Sequence, residues 1–148
     1  MQNLSVYPGK LLHLDRDGNG LSSNPYWDIN ARSIRSRIYA SGFRNPFRLS
    51  IEPDSNTPYI ADVGWSGYEE INRVTSAGNN FGWPCYEGAG QQSGYAGKAA
   101  CQTLYAQGSS AITPPWQAWD HSGGGGAAIR GAFGSQLSLP APFDDGYQ

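Results

Sequence analysis

Histidine, cysteine and charge are all scarce here: the 148 residues hold two His and two Cys, and 15% of them are charged. Each shortage removes a class of function. With no His close to either Cys, a Cys/His metal site has no support, and neither thiol has a base beside it. The Lys and Arg side chains are scattered singly, and the formal net charge is -2. That leaves no basic stripe to neutralise a phosphate backbone, so nucleic acid is not an expected partner. No stretch approaches the roughly 18 uninterrupted apolar residues of a membrane span. The start, residues 1–10, has no charged segment followed by an apolar one, so no export signal is read there. No Ser stands in a nucleophile-elbow context, and Gly123 to Gly126 is not followed by the Lys-Ser or Lys-Thr of a phosphate loop.

What the chain does have is turn formers, with 20 Gly and 10 Pro, between short apolar stretches. That pattern predicts many brief strands and an all-β fold of sandwich, barrel or propeller type. Strands are expected at residues 11–14, 47–51, 59–63, 70–74, 116–119 and 127–133. In the second of these Phe47, Leu49 and Ile51 alternate with Arg48 and Ser50, giving one apolar and one polar face. Residues 29–37 carry too little helical period to be read as anything but loop.

Several motifs have bland readings. Asp15, Asp17, Asn19 and Gly20 open like a calcium loop, but the twelfth position, where a bidentate Glu belongs, is Tyr26, so the segment is read as a turn. Cys85 and Cys101 enclose a Gly-rich loop and fit a disulfide, worth roughly 3 kcal/mol by loop closure, which favours an oxidising compartment. Asn3-Leu4-Ser5 is a formal glycosylation acceptor. His13 falls in an expected strand, and His121 and Asp120, as adjacent strand residues, should point apart.

The dense constellation lies between Ile38 and Glu87. Gly42-Phe43-Arg44-Asn45-Pro46-Phe47-Arg48 is followed by Ala61-Asp62-Val63-Gly64-Trp65. Then come Glu69-Glu70-Ile71-Asn72 and Gly78-Asn79-Asn80-Phe81-Gly82-Trp83-Pro84. Together these offer cationic donors, carbonyl and carboxylate acceptors for a hard cation, and aromatic faces for a flat ligand. Read from composition alone, they equally fit loop-stabilising ion pairs.

These blocks, preceded by Gly9 to Gly18, resemble in order those of the glucose/sorbosone dehydrogenase family, the soluble quinoprotein sugar dehydrogenases and their relatives. The resemblance covers residues 8–88 well and the tail weakly. It implies a six-bladed β-propeller with pyrroloquinoline quinone and calcium on its axis, oxidising an aldose at the anomeric carbon by hydride transfer to the quinone. Carried over by residue, it implies that Arg44 and Asn45 face the quinone. It also implies that the backbone carbonyls of Gly64 and Trp65 ligate calcium, with Glu69 and Glu70 as supports. Trp65 departs from the Pro or Gln found in other members. The family's catalytic His and its far-side arginines match nothing in this sequence.

The expectation is therefore a single partial domain over residues 1–148, about two to three blades of the propeller truncated at both ends, from a secreted or periplasmic protein. It should contact the cofactor without giving turnover alone. The alternative within the family is a non-enzymatic extracellular binding module of the hedgehog-interacting kind. A third reading is a small, self-contained, disulfide-closed lectin-like β-domain.

Overall fold

A computed structural model describes residues 1–123, 126–129, 131 and 133. Along the chain run β1 (Lys10–Leu12), α1 (Ile34–Arg37), β2 (Ile38–Ser41), β3 (Pro46–Ile51), β4 (Pro58–Asp62) and β5 (Tyr68–Arg73). They are followed by β6 (Tyr86–Glu87), β7 (Gly90–Gln91), α2 (Ala99–Ala106) and β8 (Gln117–Asp120). β3, β4, β5 and β8 form one antiparallel sheet in that order, while β1 pairs with β2 and β6 with β7. The chain is mostly sheet, as its turn-rich composition predicts.

Pro46 can open β3 because the first residue of a strand need not donate to the ladder. A register shift between Pro46 and Arg48 bends the strand there. Asn56 takes the left-handed conformation, φ 56°, in the turn from β3 to β4, a conformation Asn tolerates better than most residues. Phe47, Leu49 and Ile51 do alternate along β3, yet they stay 49, 53 and 44% exposed. The core lies instead where Phe43 stacks on Phe81, ring centroids 4.9 Å apart, among Ala40, Ile60 and Val74. A fully buried Phe43 contributes roughly 2 to 3 kcal/mol.

Two helices and the strands β2, β6 and β7 escaped the sequence reading. Within the 29–37 segment read as loop, α1 forms because Ser33 accepts from the Ser36 N–H, and Asp28 accepts from both hydroxyls. Side-chain caps, not apolar period, hold this single turn. α2 joins good helix formers such as Ala and Leu and buries Cys101 and Leu104, three positions apart on one face. β1 ends before His13, whose Nδ1 lies 3.0 Å from Asn24 Oδ1. Of the strand expected at 127–133, residues 127–129, 131 and 133 are described and have no strand pairing, and 130 and 132 lie outside the described residues.

Between β5 and β8 the chain makes a long excursion that returns to the sheet. Its centre is the Cys85–Cys101 disulfide, Cα atoms 5.0 Å apart, packed with Tyr86 and Leu104. Replacing both cysteines by alanine in the intact protein should lower stability by about 2 to 3 kcal/mol, read from denaturant midpoints. A midpoint unmoved by the double substitution would mean that the loop is held by its packing alone.

Candidate functional site

Register brings the singled-out residues to one end of the four-stranded sheet. Pro46 faces Asp62, Asp62 faces Glu70, and Tyr68 faces Asp120. Arg44 and Asn45, just before β3, therefore sit beside the β4–β5 loop, and His121, just after β8, lies at the same end of the sheet on its opposite edge. Asp62 fixes the first pair, its two oxygens accepting from the Arg44 N–H at 3.0 Å and the Asn45 N–H at 2.6 Å. Burial lifts the Asp62 carboxyl to about 6, against the pull of those N–H groups and of the Arg44 charge. The Arg44 guanidinium donates through Nη1 to the Val63 carbonyl at 2.8 Å and lies 5.6 Å from the Trp83 ring centroid. Its side chain is half-buried, and Asn45 is exposed.

The loop after β4 is built around a carboxylate from the excursion. Glu87 Oε1 accepts four successive backbone N–H groups, from Trp65 at 2.7 Å, Ser66 at 3.0 Å, Gly67 at 3.0 Å and Tyr68 at 3.2 Å. In a trans peptide the N–H and the preceding C=O point opposite ways. Turning the Trp65 and Ser66 N–H groups inward therefore turns the Gly64 and Trp65 carbonyls outward. Among the described residues neither carbonyl oxygen accepts a hydrogen bond. Burial pushes the Glu87 carboxyl up, but the N–H groups of Gly67, Trp65 and Tyr68 and the Gln92 amide outweigh it and hold it below the usual glutamate range.

The neighbouring glutamates are ties as well. Glu69, 1% exposed, accepts from the Gly64 N–H at 3.2 Å and the Ala128 N–H at 2.7 Å, and lies 2.9 Å from His121 Nε2. Glu70 accepts from the Gly88 N–H at 2.6 Å and from Asn72 Nδ2 at 3.1 Å. Burial lifts Glu70 to about 7, with the charges of Asp62 and Glu87 pushing the same way. Asp120 turns to the Ser122 N–H, while His121 turns to Glu69, so the adjacent pair parts as its spacing predicts.

Trp65 joins an aromatic trio. Its ring centroid lies 5.8 Å from that of Trp83 and 5.2 Å from that of Tyr95, and Trp83 and Tyr95 are 5.4 Å apart. The Asp15 segment is the turn its missing Glu implies, Asp15 Oδ1 accepting from the Asp17 and Asn19 N–H groups. Among the described residues no group of three or more His, Cys, Asp or Glu could hold a metal ion. Sequence reasoning assigned no part to Glu87 or Gln92. The Trp65–Glu87 contact spans 22 residues and leaves no local trace.

The chain, mostly sheet with few helices, is part of a β-propeller, the fold of the solved sugar dehydrogenases on which it superposes. It belongs to the glucose/sorbosone dehydrogenase family, whose model matches residues 1–133. It is 35% identical over 83 residues to the aldose sugar dehydrogenase YliI of Escherichia coli, a match covering 56% of this chain and 22% of that protein. It is 44% identical over 103 residues to the HIPL2 protein of Arabidopsis thaliana, covering 59% of this chain and 14% of that protein. The PQQ-bound aldose sugar dehydrogenase of Streptomyces coelicolor superposes with a TM-score of 0.53 at 26% identity, over 76% of this chain and 26% of that one. The chain thus spans about a fifth of the length of the curated relatives it matches.

Proposed function

We propose that these residues form one wall of the cofactor site of a sugar dehydrogenase. In this reading Arg44 and Asn45 face pyrroloquinoline quinone, and the Gly64 and Trp65 carbonyls ligate calcium. The observation that carries the reading is the pair of outward carbonyls made by the Glu87 cradle. Hard cations take backbone carbonyl oxygens as ligands, so the donor set fits calcium. Arg44, with one Nη1 hydrogen on Val63, keeps further donors for an anionic ligand. When bound, the quinone and calcium would supply hydride acceptance from the sugar's anomeric carbon and polarisation of the quinone carbonyl.

The chain's own part is positional. Asp62 holds Arg44 and Asn45 by their backbone, so their side chains lie at the sheet end from the start. Arg44 would stabilise negative charge as it develops opposite it. The catalytic base would come from elsewhere in a longer propeller, consistent with coverage of 22% of the aldose dehydrogenase. The disulfide suits a protein exported to an oxidising compartment.

Terbium, which takes calcium sites and is excited by a nearby indole, tests the metal assignment. The intact protein should show terbium emission sensitised by the Trp65 and Trp83 indoles, displaced by calcium and lost when both are replaced by Phe. Emission that the double replacement leaves intact would sink the placement. A second reading is a non-enzymatic extracellular binding propeller of the same family. Dye reduction by an aldose after loading with quinone and calcium supports the first reading, and silence across a sugar panel with the fold intact supports the second.

A further inference from the structure

We infer that Glu87 is the positioning residue of the cation site, and that Gln92 locks it in place. The inference rests on the proposal that the Gly64 and Trp65 carbonyls are ligands. Four N–H groups between 2.7 and 3.2 Å converge on one oxygen of Glu87. Rotating any of those peptides to turn its carbonyl elsewhere would break a charge-assisted hydrogen bond. The carboxylate thus fixes the direction of both proposed ligands from behind, without touching the cation.

Glu87 is itself immobilised. Its second oxygen accepts from Gln92 Nε2 at 2.6 Å, and the same amide nitrogen lies 3.3 Å from Ser66 Oγ in the cradled loop. Gln92 is held in turn, its N–H donating to the Cys85 carbonyl at 2.7 Å and its Oε1 accepting from the Gly94 N–H at 2.8 Å. Glu87 follows Cys85 by two residues, and Gln92 lies inside the disulfide-closed loop. Trp65 packs on the same loop through Tyr95. The excursion therefore reaches the sheet end as a preformed clamp, and outer groups that orient metal ligands commonly matter to affinity as much as a ligand does.

Position and charge separate by substitution. Glu87→Asp keeps the charge but withdraws the carboxylate by roughly 1.5 Å, one carbon–carbon bond. Glu87→Gln keeps an acceptor at full reach and loses the charge. Calcium titration of the intact protein by calorimetry should show roughly 10- to 100-fold weaker binding for Glu87→Asp and Glu87→Ala, with Glu87→Gln restoring much of the loss. Gln92→Ala leaves the cradle in place but frees it to move, and should weaken binding less while shortening the terbium emission lifetime as water enters the looser shell.

Wild-type affinity in Glu87→Asp together with lost affinity in Glu87→Gln would overturn the inference, because the carboxylate would then act through charge. Unchanged affinity and lifetime in Gln92→Ala would also overturn it, even if the Glu87 variants failed to fold. A wild-type protein that binds no calcium removes the underlying assignment instead, and that failure shows before any variant is made.

Discussion

Gly64→Ala should destabilise the intact protein by roughly 4 kcal/mol, near the top of the range for single substitutions, and abolish calcium binding. A Cβ at residue 64 would stand 1.5 Å from the Tyr68 carbonyl oxygen and 2.6 Å from its carbon. Both are backbone atoms of β5, so no side-chain rotation relieves the overlap. The loop must open, and opening it separates the Trp65 and Ser66 N–H groups from Glu87. Thermal unfolding and calcium titration would check both effects. Gly97→Ala is the control, since a Cβ there meets nothing within 4 Å, and it should be nearly silent. A Gly64→Ala protein with native melting and native calcium affinity would mean that the loop has another conformation of equal energy.

Acidification should strengthen the calcium-free protein, the reverse of ordinary acid denaturation. Burial raises Glu70 from 4.5 to about 7 in the folded state, so between those values the native state binds the extra proton. A carboxyl raised in this way contributes its stability fully below the unfolded value and loses it as pH climbs through about 7. The shift corresponds to about 3 kcal/mol, reinforced by Asp62, raised to about 6 for the same reason. Denaturant midpoints measured in chelator should therefore fall from pH 5 towards pH 8, and Glu70→Gln should flatten the slope. A protonated Glu70 also gains a donor, and the buried Asn72 Oδ1 beside it has no partner among the described residues. A midpoint rising over that range would show that Glu70 is ionised in the fold.

β1, β3, β4, β5 and β8 were legible because alternation and turn residues are local signals. Phe47, Leu49 and Ile51 announced β3, and Pro58 and Gly67 lie where neighbouring strands begin. The ordered blocks from Gly42 to Pro84 pointed to the family. Their physical roles were not legible. Asp62, Glu69 and Glu87 look like surface carboxylates in the sequence, yet each is buried and answers backbone N–H groups. Such contacts join residues 5 to 59 apart in the chain, and no periodicity encodes them. α1 was missed because Asp28 and two serines, not an apolar stripe, hold it. α2, at 8 residues, is too short to display a repeat.

The excursion between β5 and β8 also bears on the order in which the sheet is assembled. β3, β4 and β5 are joined by short turns and can pair as the chain emerges. β8 must wait for Trp119 to find Glu69 across the intervening segment. The Cys85–Cys101 link, of sequence separation 16, lies within that segment. Once closed, it shortens a connection of roughly 40 residues to under 30, which lowers the entropy of joining its ends by about 0.4 kcal/mol. Oxidation of the thiols before the fourth strand docks would thus favour a sheet completed around a finished insert, with Glu87 already aimed at the loop it holds.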